Sequence, residues 1–282
     1  MKLCKTVSAL QRALRPYREG QLRIALVPTM GALHAGHLEL VRRARRRADV
    51  VVVSIFVNPL QFGPNEDFES YPRQLKRDVE QLEEMGVTLL FTPSAEQFYG
   101  DDHQTMILNS EVQSLYCGAF RPGHFSGVLT VIGKLFHVVM PHEAFFGSKD
   151  YQQAWLIEKM VADLNWPVDI RRVATVRASD GLALSSRNAY LSSEERTRAP
   201  GLYSSLLKLQ QKVAQGERSS AKLLSKAKKE IEKSGGRVQY LQIASQTSLL
   251  PVKRIEAPVV VLAAVFYGKT RLIDNLEIFP PR

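Results

Sequence analysis

The chain has 282 residues, a formal net charge of +10, and 45% hydrophobic and 23% charged residues. These values are typical of globular proteins in water, and the length suffices for one large or two ordinary domains. No apolar stretch is long enough to span a membrane, and the N-terminus lacks the apolar core of a secretion signal. Because the only cysteines are Cys4 and Cys117, we expect no disulfide framework and a reducing, cytoplasmic compartment.

The positive charge raises the question of a nucleic-acid partner. The two densest basic runs, 42–47 and 222–233, both lie on predicted helices with apolar residues at helical spacing. Solvated helix faces explain such runs, and small anionic substrates would also favour a positive protein. We therefore expect small-molecule substrates, with neither nucleic acid nor membrane as a partner; a nucleic-acid-binding module is the alternative to test.

Short apolar runs and amphipathic segments alternate over the first part of the chain. The apolar runs predict buried strands, and the amphipathic segments have helical spacing. This alternation predicts an α/β fold with a Rossmann-like parallel sheet and helices on both faces. The predicted helices are 1–20, 38–48, 73–85, 124–139 and 151–164, and the predicted strands are 22–27, 50–56, 87–91, 143–146 and 168–173.

After Ala178 the pattern changes to two helices followed by consecutive strands. Ser192 and Glu195 have capping-box spacing, which opens the first helix. This order predicts a smaller α+β C-terminal domain with an antiparallel sheet. We therefore divide the chain into a Rossmann-like domain, 1–176, and a small domain, 177–282, that closes over the active site. The predicted helices of the second domain are 192–213 and 221–233, and its strands lie near 238–243, 258–266 and 271–273.

The sequence His34-Ala35-Gly36-His37 lies between a predicted strand and a predicted helix, where βαβ units bind their ligands. Gly36 lets the backbone approach a ligand, and the helix start offers unpaired N–H groups. Two imidazoles there can donate hydrogen bonds to phosphate oxygens, more strongly if protonated. The alternative is that one histidine caps the helix and the other is a surface residue; the flanking strand and helix favour a functional role.

Two further segments lie at predicted strand ends. Gln61 follows strand 50–56 and offers both a donor and an acceptor, which suits a hydroxyl or a carboxylate. In the segment 147–153, Lys149 can reach a phosphate as a point charge, although Asp150 could simply cap the next helix.

A polar loop at the domain boundary, 184–188, combines serine hydroxyls with Arg187. These groups suit a polyphosphate, and a loop between domains can close over a ligand. Taken together, the three segments and the two histidines indicate nucleotide chemistry. Neither a P-loop nor a Gly-x-Gly-x-x-Gly sequence after a strand occurs, so we expect a different class of nucleotide site.

Seven segments in order carry a family resemblance: 28–37, 56–62, 71–73, 121–125, 146–153, 180–188 and 271–275. On these segments the chain resembles the pantothenate synthetase (pantoate–β-alanine ligase) family over essentially its whole length. Ordered motifs are far more specific than the two histidines, which a whole nucleotidyl-transferring superfamily shares. The resemblance implies that ATP and pantoate form pantoyl adenylate and pyrophosphate, after which β-alanine attacks the mixed anhydride to give pantothenate and AMP.

The resemblance also implies site residues, a metal and an assembly. The 1–176 domain would bind ATP and pantoate. Mg²⁺ would accompany ATP with few protein ligands, Asp78 being one contact, and members are typically cytoplasmic homodimers. Gln61 and Gln153 would hold pantoate, with Gln61 also near β-alanine. The implied catalytic residues are His37, His34, Lys149 and Arg187. The implied ATP contacts are Met30, Gly31, Ala32, Leu33, His34, Ala35, Gly36, His37, Gly147, Ser148, Lys149, Asp150, Val176, Leu184, Ser185, Ser186 and Arg187.

Two positions depart from the family pattern, and one role is open to interpretation. Ser148 stands where the family usually has Glu, and Ala174 where Pro is common. The position of His37 is usually described as a proton donor; we interpret it instead as a stabiliser of charge on the departing pyrophosphate. A related nucleotidyltransferase, which would release pyrophosphate but form no amide, is a further alternative.

Overall fold

The computed structural model describes residues 1–64 and 66–281, so Arg282, the last residue of the second predicted domain, lies outside the described residues. The chain divides into two compact units. We call them the first unit, 1–114, 118–148 and 153–174, and the second unit, 115–117, 149–152 and 175–282. Within the described ranges no helix is long and apolar enough to cross a membrane.

The first unit contains a six-stranded sheet in which every neighbouring pair of strands is parallel. Its strands are β1 (Lys2–Cys4), β2 (Ile24–Thr29), β3 (Val50–Ile55), β4 (Leu89–Phe91), β5 (Glu143–Gly147) and β6 (Asp169–Val173). The order is β1-β4-β3-β2-β5-β6. The chain runs outward from β2 in one direction and from β5 in the other, which leaves a crevice at the carboxyl ends of these two strands. The predicted Rossmann-like parallel sheet is confirmed.

Helices cover both faces of this sheet. The helices described before β6 are α1 (Val7–Glu19), α2 (Ala35–Arg45), α3 (Leu75–Glu84), α4 (Ala95–Tyr99), α5 (His124–Val139) and α6 (Tyr151–Asp163). Val41 of α2 and Leu82 of α3 pack with Val51 of β3 in one apolar cluster. The next strand residue, Val52, points to the opposite face and is also fully buried. The strands therefore contain continuous apolar runs because both of their faces are covered.

The N-terminus differs from the prediction of one helix over 1–20. Strand β1 comes first, and α1 begins only at Val7. Thr6 sets this boundary because its Oγ1 accepts a hydrogen bond from the Ala9 N–H at 3.2 Å. Three residues of β1 are too few for a periodic pattern, and their pairing with the distant strand β4 stabilises them instead.

The second unit contains a three-stranded antiparallel sheet with helices packed on it, as predicted. The helices are α7 (Ser193–Arg198), α8 (Gly201–Ala214) and α9 (Ser220–Lys233), and the strands are β7 (Arg237–Ser245), β8 (Val259–Tyr267) and β9 (Thr270–Ile278). The order is β7-β8-β9, with both pairs antiparallel. Leu206 of α8, Ile231 of α9 and Val261 of β8 are fully buried in its core.

The helix predicted over 192–213 is in fact two helices, α7 and α8. The predicted capping box is present at its start: Ser192 Oγ accepts from the Glu195 N–H at 3.2 Å, and Glu195 Oε2 accepts from the Ser192 N–H at 2.8 Å. Pro200 then interrupts the helix, because proline has no N–H to donate and its ring clashes with the carbonyl four residues earlier.

Three arginines surround one buried carboxylate at the amino ends of the parallel strands. Glu143 of β5 is 1% exposed. It accepts hydrogen bonds from Arg47 Nη2 at 2.7 Å, Arg171 Nη2 at 3.0 Å and Arg23 Nη2 at 3.2 Å. The Arg47 hydrogen bond, with help from Arg171, outweighs burial and lowers the pKa of Glu143 to about 2. This cluster lies at the edge of the sheet opposite the crevice, so we assign it to stability.

We expect Glu143 to make the free energy of unfolding depend on pH in acid. A folded pKa of about 2 against an ordinary value of 4.5 corresponds to at most about 3 kcal/mol. This stabilisation is present above pH 4.5 and is lost as the pH falls through 2, about 60% of it by pH 3. Urea unfolding of wild type and Glu143→Gln at pH 6 and pH 3 measures it. The difference in free energy of unfolding between the two proteins should be smaller at pH 3 than at pH 6; an unchanged difference would contradict the assignment.

Candidate active site

Three polar segments of the first unit follow the carboxyl ends of adjacent parallel strands. Residues 30–34 follow β2, residues 58–61 follow β3, and Gly147 and Ser148 lie at the end of β5. Strand β2 pairs with both β3 and β5, so these three ends lie side by side at the crevice. Ligands of doubly wound sheets bind at this place.

The loop between β2 and α2 bends through two left-handed residues. Gly31 has φ +83° and Ala32 has φ +51°, a conformation that costs an alanine about 1–2 kcal/mol. The carboxylate of Asp78, 1% exposed in α3, holds the bend. Its Oδ2 accepts from the Ala32 N–H and its Oδ1 from the Leu33 N–H, each at 2.9 Å. Asp78 therefore fixes the backbone immediately before the two histidines.

Helix α2 begins at Ala35, three residues earlier than predicted, so that His34 immediately precedes it and His37 lies in its first turn. His34 is the N-cap residue. Its Nδ1 accepts from the Gly36 N–H at 3.1 Å, while His37 Nδ1 accepts from the His34 N–H at 3.4 Å. A Cβ on Gly36 would lie 2.8 Å from His34 Cε1, so any larger residue would displace the His34 ring. Capping and a functional role are thus compatible in the same two residues.

In this arrangement the Nδ1 atom of each ring is the hydrogen-bond acceptor. A nitrogen that accepts a hydrogen bond carries no proton, so in each imidazole the proton lies on Nε2. The ring centroids are 4.2 Å apart. The helix start therefore holds each ring in one orientation, with Nε2 as its donor. This arrangement favours stabilisation of charge over donation of a proton by a charged ring.

The side chain of Gln61 is held by neighbours in the same unit. Gln61 is 8% exposed and ends the 3₁₀ turn Pro59–Gln61. Asn58 Nδ2 donates to Gln61 Oε1 at 3.1 Å, and Gln61 Nε2 donates to Met30 Sδ at 3.0 Å. The hydroxyl of Tyr99 donates to Asn58 Oδ1 at 2.8 Å and so fixes the orientation of that amide. The predicted residues Gln61 and Met30 are thereby brought into contact.

The backbone of Gln61 is held by a second set of side chains. His124 Nδ1 donates to the Gln61 carbonyl at 2.8 Å, which leaves His124 Nε2 to accept from Arg121 Nη1 at 3.0 Å. Arg121 in turn forms an ion pair with Glu66 through two N–H groups. Burial alone would raise the pKa of Glu66, but the hydrogen bond from Arg121 lowers it overall. The carbonyl of Gln61 is therefore supported by His124 and Arg121, which lie about 60 residues further along the chain, and Glu66 holds Arg121 in place.

Helix α5 lies directly against the turn that carries Gln61. A Cβ on Gly127 of α5 would overlap the carbonyl of Leu60 and lie 2.7 Å from the Gln61 nitrogen. The Gly127 carbonyl also accepts from Asn58 Nδ2 at 3.1 Å. Only glycine at this position allows the helix to approach so closely.

In the second unit, Lys149 lies within the 3₁₀ turn Ser148–Asp150 that leads into α6. Its carbonyl accepts from Asn275 Nδ2 at 2.8 Å.

The side chain of Gln152 joins the start of α6 to residues 115–117. Its Nε2 donates to the Leu115 carbonyl at 2.9 Å, and its Oε1 accepts from the Cys117 N–H at 3.1 Å. Gln152 therefore has a structural role, whereas Gln153 is half-buried on the first turn of α6.

The polar loop 184–187 of the second unit is half-buried and ordered by local hydrogen bonds. The Leu184 N–H donates to the Val176 carbonyl at 2.9 Å, which pairs two predicted ATP contacts. Ser185 Oγ accepts from the Arg187 N–H at 3.3 Å and caps the 3₁₀ turn Ser186–Tyr190.

Comparison with known proteins assigns the family. The model of the pantoate–β-alanine ligase family matches residues 2–277. The chain belongs to the pantoate–β-alanine ligase family. It is 50% identical to the pantothenate synthetase of Pseudomonas savastanoi pv. phaseolicola, over 99% of both chains, and 51% identical to that of Azotobacter vinelandii, over 97% and 98% of the two.

Solved structures agree in fold. The pantothenate synthetase of Thermus thermophilus is 45% identical and superposes with a TM-score of 0.93, over 99% of this chain and all of the other. The pantoate–β-alanine ligase of Francisella tularensis, 36% identical, has a TM-score of 0.82 over 98% and 97% of the chains. It was crystallised with βγ-ATP and β-alanine.

The residues predicted from the ligase resemblance fall into both units. In the first unit Met30 to His37, Asp78 and Gln61 are linked by the hydrogen bonds above; Gly147, Ser148 and Gln153 also belong to it. The second unit holds Lys149, Asp150, Val176 and 184–187. Sequence reasoning gave no role to Asn58, Glu66, Arg121, His124 or Gly127. Arg121 and His124 do occur in one of the family motifs, but the sequence does not indicate that they contact Gln61.

The metal contact at Asp78 stays a prediction. Both of its oxygens accept backbone N–H groups, and among residues 1–64 and 66–281 no group of three or more His, Cys, Asp or Glu could hold a metal ion. Because the loop backbone engages both oxygens of Asp78, an Mg²⁺ ion bound with ATP would be held mainly by phosphate oxygens.

Proposed function

We propose that this chain catalyses the ATP-dependent ligation of pantoate and β-alanine through a pantoyl-adenylate intermediate. A pantoate carboxylate oxygen attacks the α-phosphorus of ATP, and the bond to the β-phosphate breaks to release pyrophosphate. The β-alanine amine then attacks the activated carbonyl, the bond to AMP breaks, and the amine loses a proton. The observation that carries this proposal is the family match over residues 2–277, supported by two oriented histidines at the crevice of the sheet.

The two histidines have the chemistry to stabilise the departing pyrophosphate. Their Nε2–H groups are fixed before the reaction by the capping box, and the start of α2 adds its partial positive charge. Preorganised donors cost no reorganisation when charge develops, and one such donor typically contributes about 100- to 1,000-fold in rate. When bound with ATP, Mg²⁺ would supply further charge neutralisation at the phosphates. We assign His34 and His37 to this role.

Gln61 and Gln153 are assigned to pantoate, and Gln61 also to β-alanine. A buried amide with both donor and acceptor suits hydroxyl and carboxylate groups, and the support of Gln61 on side chain and backbone makes it a rigid contact. Lys149, Arg187, Ser185 and Ser186 of the second unit are assigned to ATP phosphates, because they offer charge-assisted and hydroxyl donors.

We also propose a cytoplasmic homodimer. The cysteines Cys4 and Cys117 are both unbridged and buried, which suits a reducing compartment, and the family resemblance supports the dimer. Sedimentation velocity across a range of protein concentrations tests the assembly.

The test of function is release of pyrophosphate and AMP from ATP and Mg²⁺ with pantoate, with and without β-alanine. We expect about one pyrophosphate per site from pantoate alone, followed by AMP release and turnover when β-alanine is added. If pantoate elicits no pyrophosphate at all, pantoate is not the substrate, and a related nucleotidyltransferase that acts on a phosphorylated substrate is favoured. Steeply salt-dependent RNA binding would favour the nucleic-acid alternative.

A further inference from the structure

Two adjacent residues of β9 connect the two segments of the second unit that are assigned to ATP. The first is Asp274, which is 4% exposed. Its carboxylate accepts from Arg177 Nη1 at 2.7 Å and Arg177 Nη2 at 2.9 Å, a two-point ion pair. Its Oδ1 also accepts from the Asn275 N–H at 2.8 Å. Asp274 therefore fixes both Arg177 and the backbone of its own neighbour.

Arg177 holds the polar loop through the hairpin that precedes it. Its Nη1 donates to the Gly181 carbonyl at 3.1 Å, and its guanidinium lies 3.5 Å from the centroid of the Tyr203 ring. Arg177 also pairs with Ala183 in an isolated antiparallel bridge. The hairpin ends where the segment 184–187 begins, so the position of that segment depends on where Asp274 places Arg177.

Asn275 holds the other segment. It is 7% exposed, and its Nδ2 donates to the Lys149 carbonyl at 2.8 Å. The backbone of Lys149 is thereby fixed to the residue next to Asp274. A lysine side chain that must meet a phosphate needs a fixed backbone, because its flexible stem does not orient the ammonium group.

We propose that Asn275 is a positioning residue for ATP binding that acts through Lys149, with Asp274 fixing the backbone of Asn275; this rests on the proposed assignment of Lys149 to phosphate. Asn275 holds the backbone of Lys149, and Asp274 holds Arg177, whose hairpin leads into the loop 184–187. The strand that carries both residues thus sets the distance between Lys149 and that loop. Misplacing a positioned group by an ångström can cost about 100-fold in rate. A small change in this attachment should therefore raise the KM for ATP more than the KM for pantoate.

The experiment compares Asn275→Asp with wild type in the first half-reaction. The aspartate has the same size but presents an acceptor, not a donor, to the Lys149 carbonyl. We expect the ATP KM to rise about 10-fold, with the pantoate KM within about twofold. Asn275→Ser, which removes the reach of the donor without adding charge, is the second variant if the first accumulates poorly. Ile273→Val, on the same strand but outside these hydrogen bonds, is the matched control and should match wild type.

A double-mutant cycle with Lys149→Ala identifies the route. If Asn275 acts through Lys149, Asn275→Asp should have little further effect once Lys149 is alanine. An equal effect in both backgrounds, or a wild-type ATP KM in Asn275→Asp, would overturn the inference. If Lys149→Ala itself leaves the half-reaction unchanged, the assignment of Lys149 to phosphate fails instead.

Discussion

Replacing His37 by alanine is expected to slow pyrophosphate release about 100- to 1,000-fold while the pantoate KM stays within about twofold. The imidazole presents an Nε2–H donor that is fixed before the reaction, because its Nδ1 accepts from the His34 N–H. Its contribution should therefore appear in the transition state rather than in substrate binding. We expect His34→Ala to behave likewise. Rapid-quench measurement of pyrophosphate from ATP, Mg²⁺ and pantoate tests both.

Two conservative variants separate this role from helix capping. Asparagine at position 37 can accept from the His34 N–H as Nδ1 does, but it places no donor where Nε2 lies. His37→Asn should thus be as slow as His37→Ala, although the alanine variant alone loses capping stability of about 1 kcal/mol. In His37→Gln the side-chain amide nitrogen reaches the position of His37 Nε2, so this variant should recover part of the rate. A fast His37→Asn enzyme would mean that the histidine only caps the helix.

The sequence was sufficient where the position of a residue depends on local order. The loops that carry the two histidines and Gln61 follow apolar strands of the first unit, and parallel strands bring such loops to one edge of the sheet. The alternation of strands and helices likewise predicted the parallel sheet. What this reasoning misplaced was the start of α2, because no propensity rule anticipates a capping box made by two histidines.

The supporting residues could not be predicted, because their partners are distant in the chain. Asp78 fixes the bend at Ala32, and His124 fixes the carbonyl of Gln61. Nothing in the local pattern around either residue indicates its partner. Asp78 illustrates the difficulty: the family resemblance implied a metal contact for it, and only the structure shows that its carboxylate holds the loop.

The contact between α5 and the Gln61 turn leads to the second large effect, that of Gly127→Ala. The added methyl would overlap the carbonyl of Leu60 and lie 2.7 Å from the Gln61 nitrogen. These are backbone atoms, so the turn must move and Gln61 with it. We expect the pantoate KM to rise at least about 10-fold with the ATP KM nearly unchanged, and a loss of about 1–3 kcal/mol in the free energy of unfolding from overpacking.

Gly133→Ala is the matched control, because Gly133 lies on the same helix and its added methyl would meet side chains only, chiefly the end of Ile107. A flexible side chain can move aside, and alanine favours the helix by about 1 kcal/mol, so stability and both KM values should stay near wild type. The pantoate KM of Gln61→Ala shows the effect of losing the Gln61 amide altogether. If Gln61→Ala raises the pantoate KM but Gly127→Ala does not, then the turn can leave α5 without disturbing its glutamine, and the close approach serves packing alone.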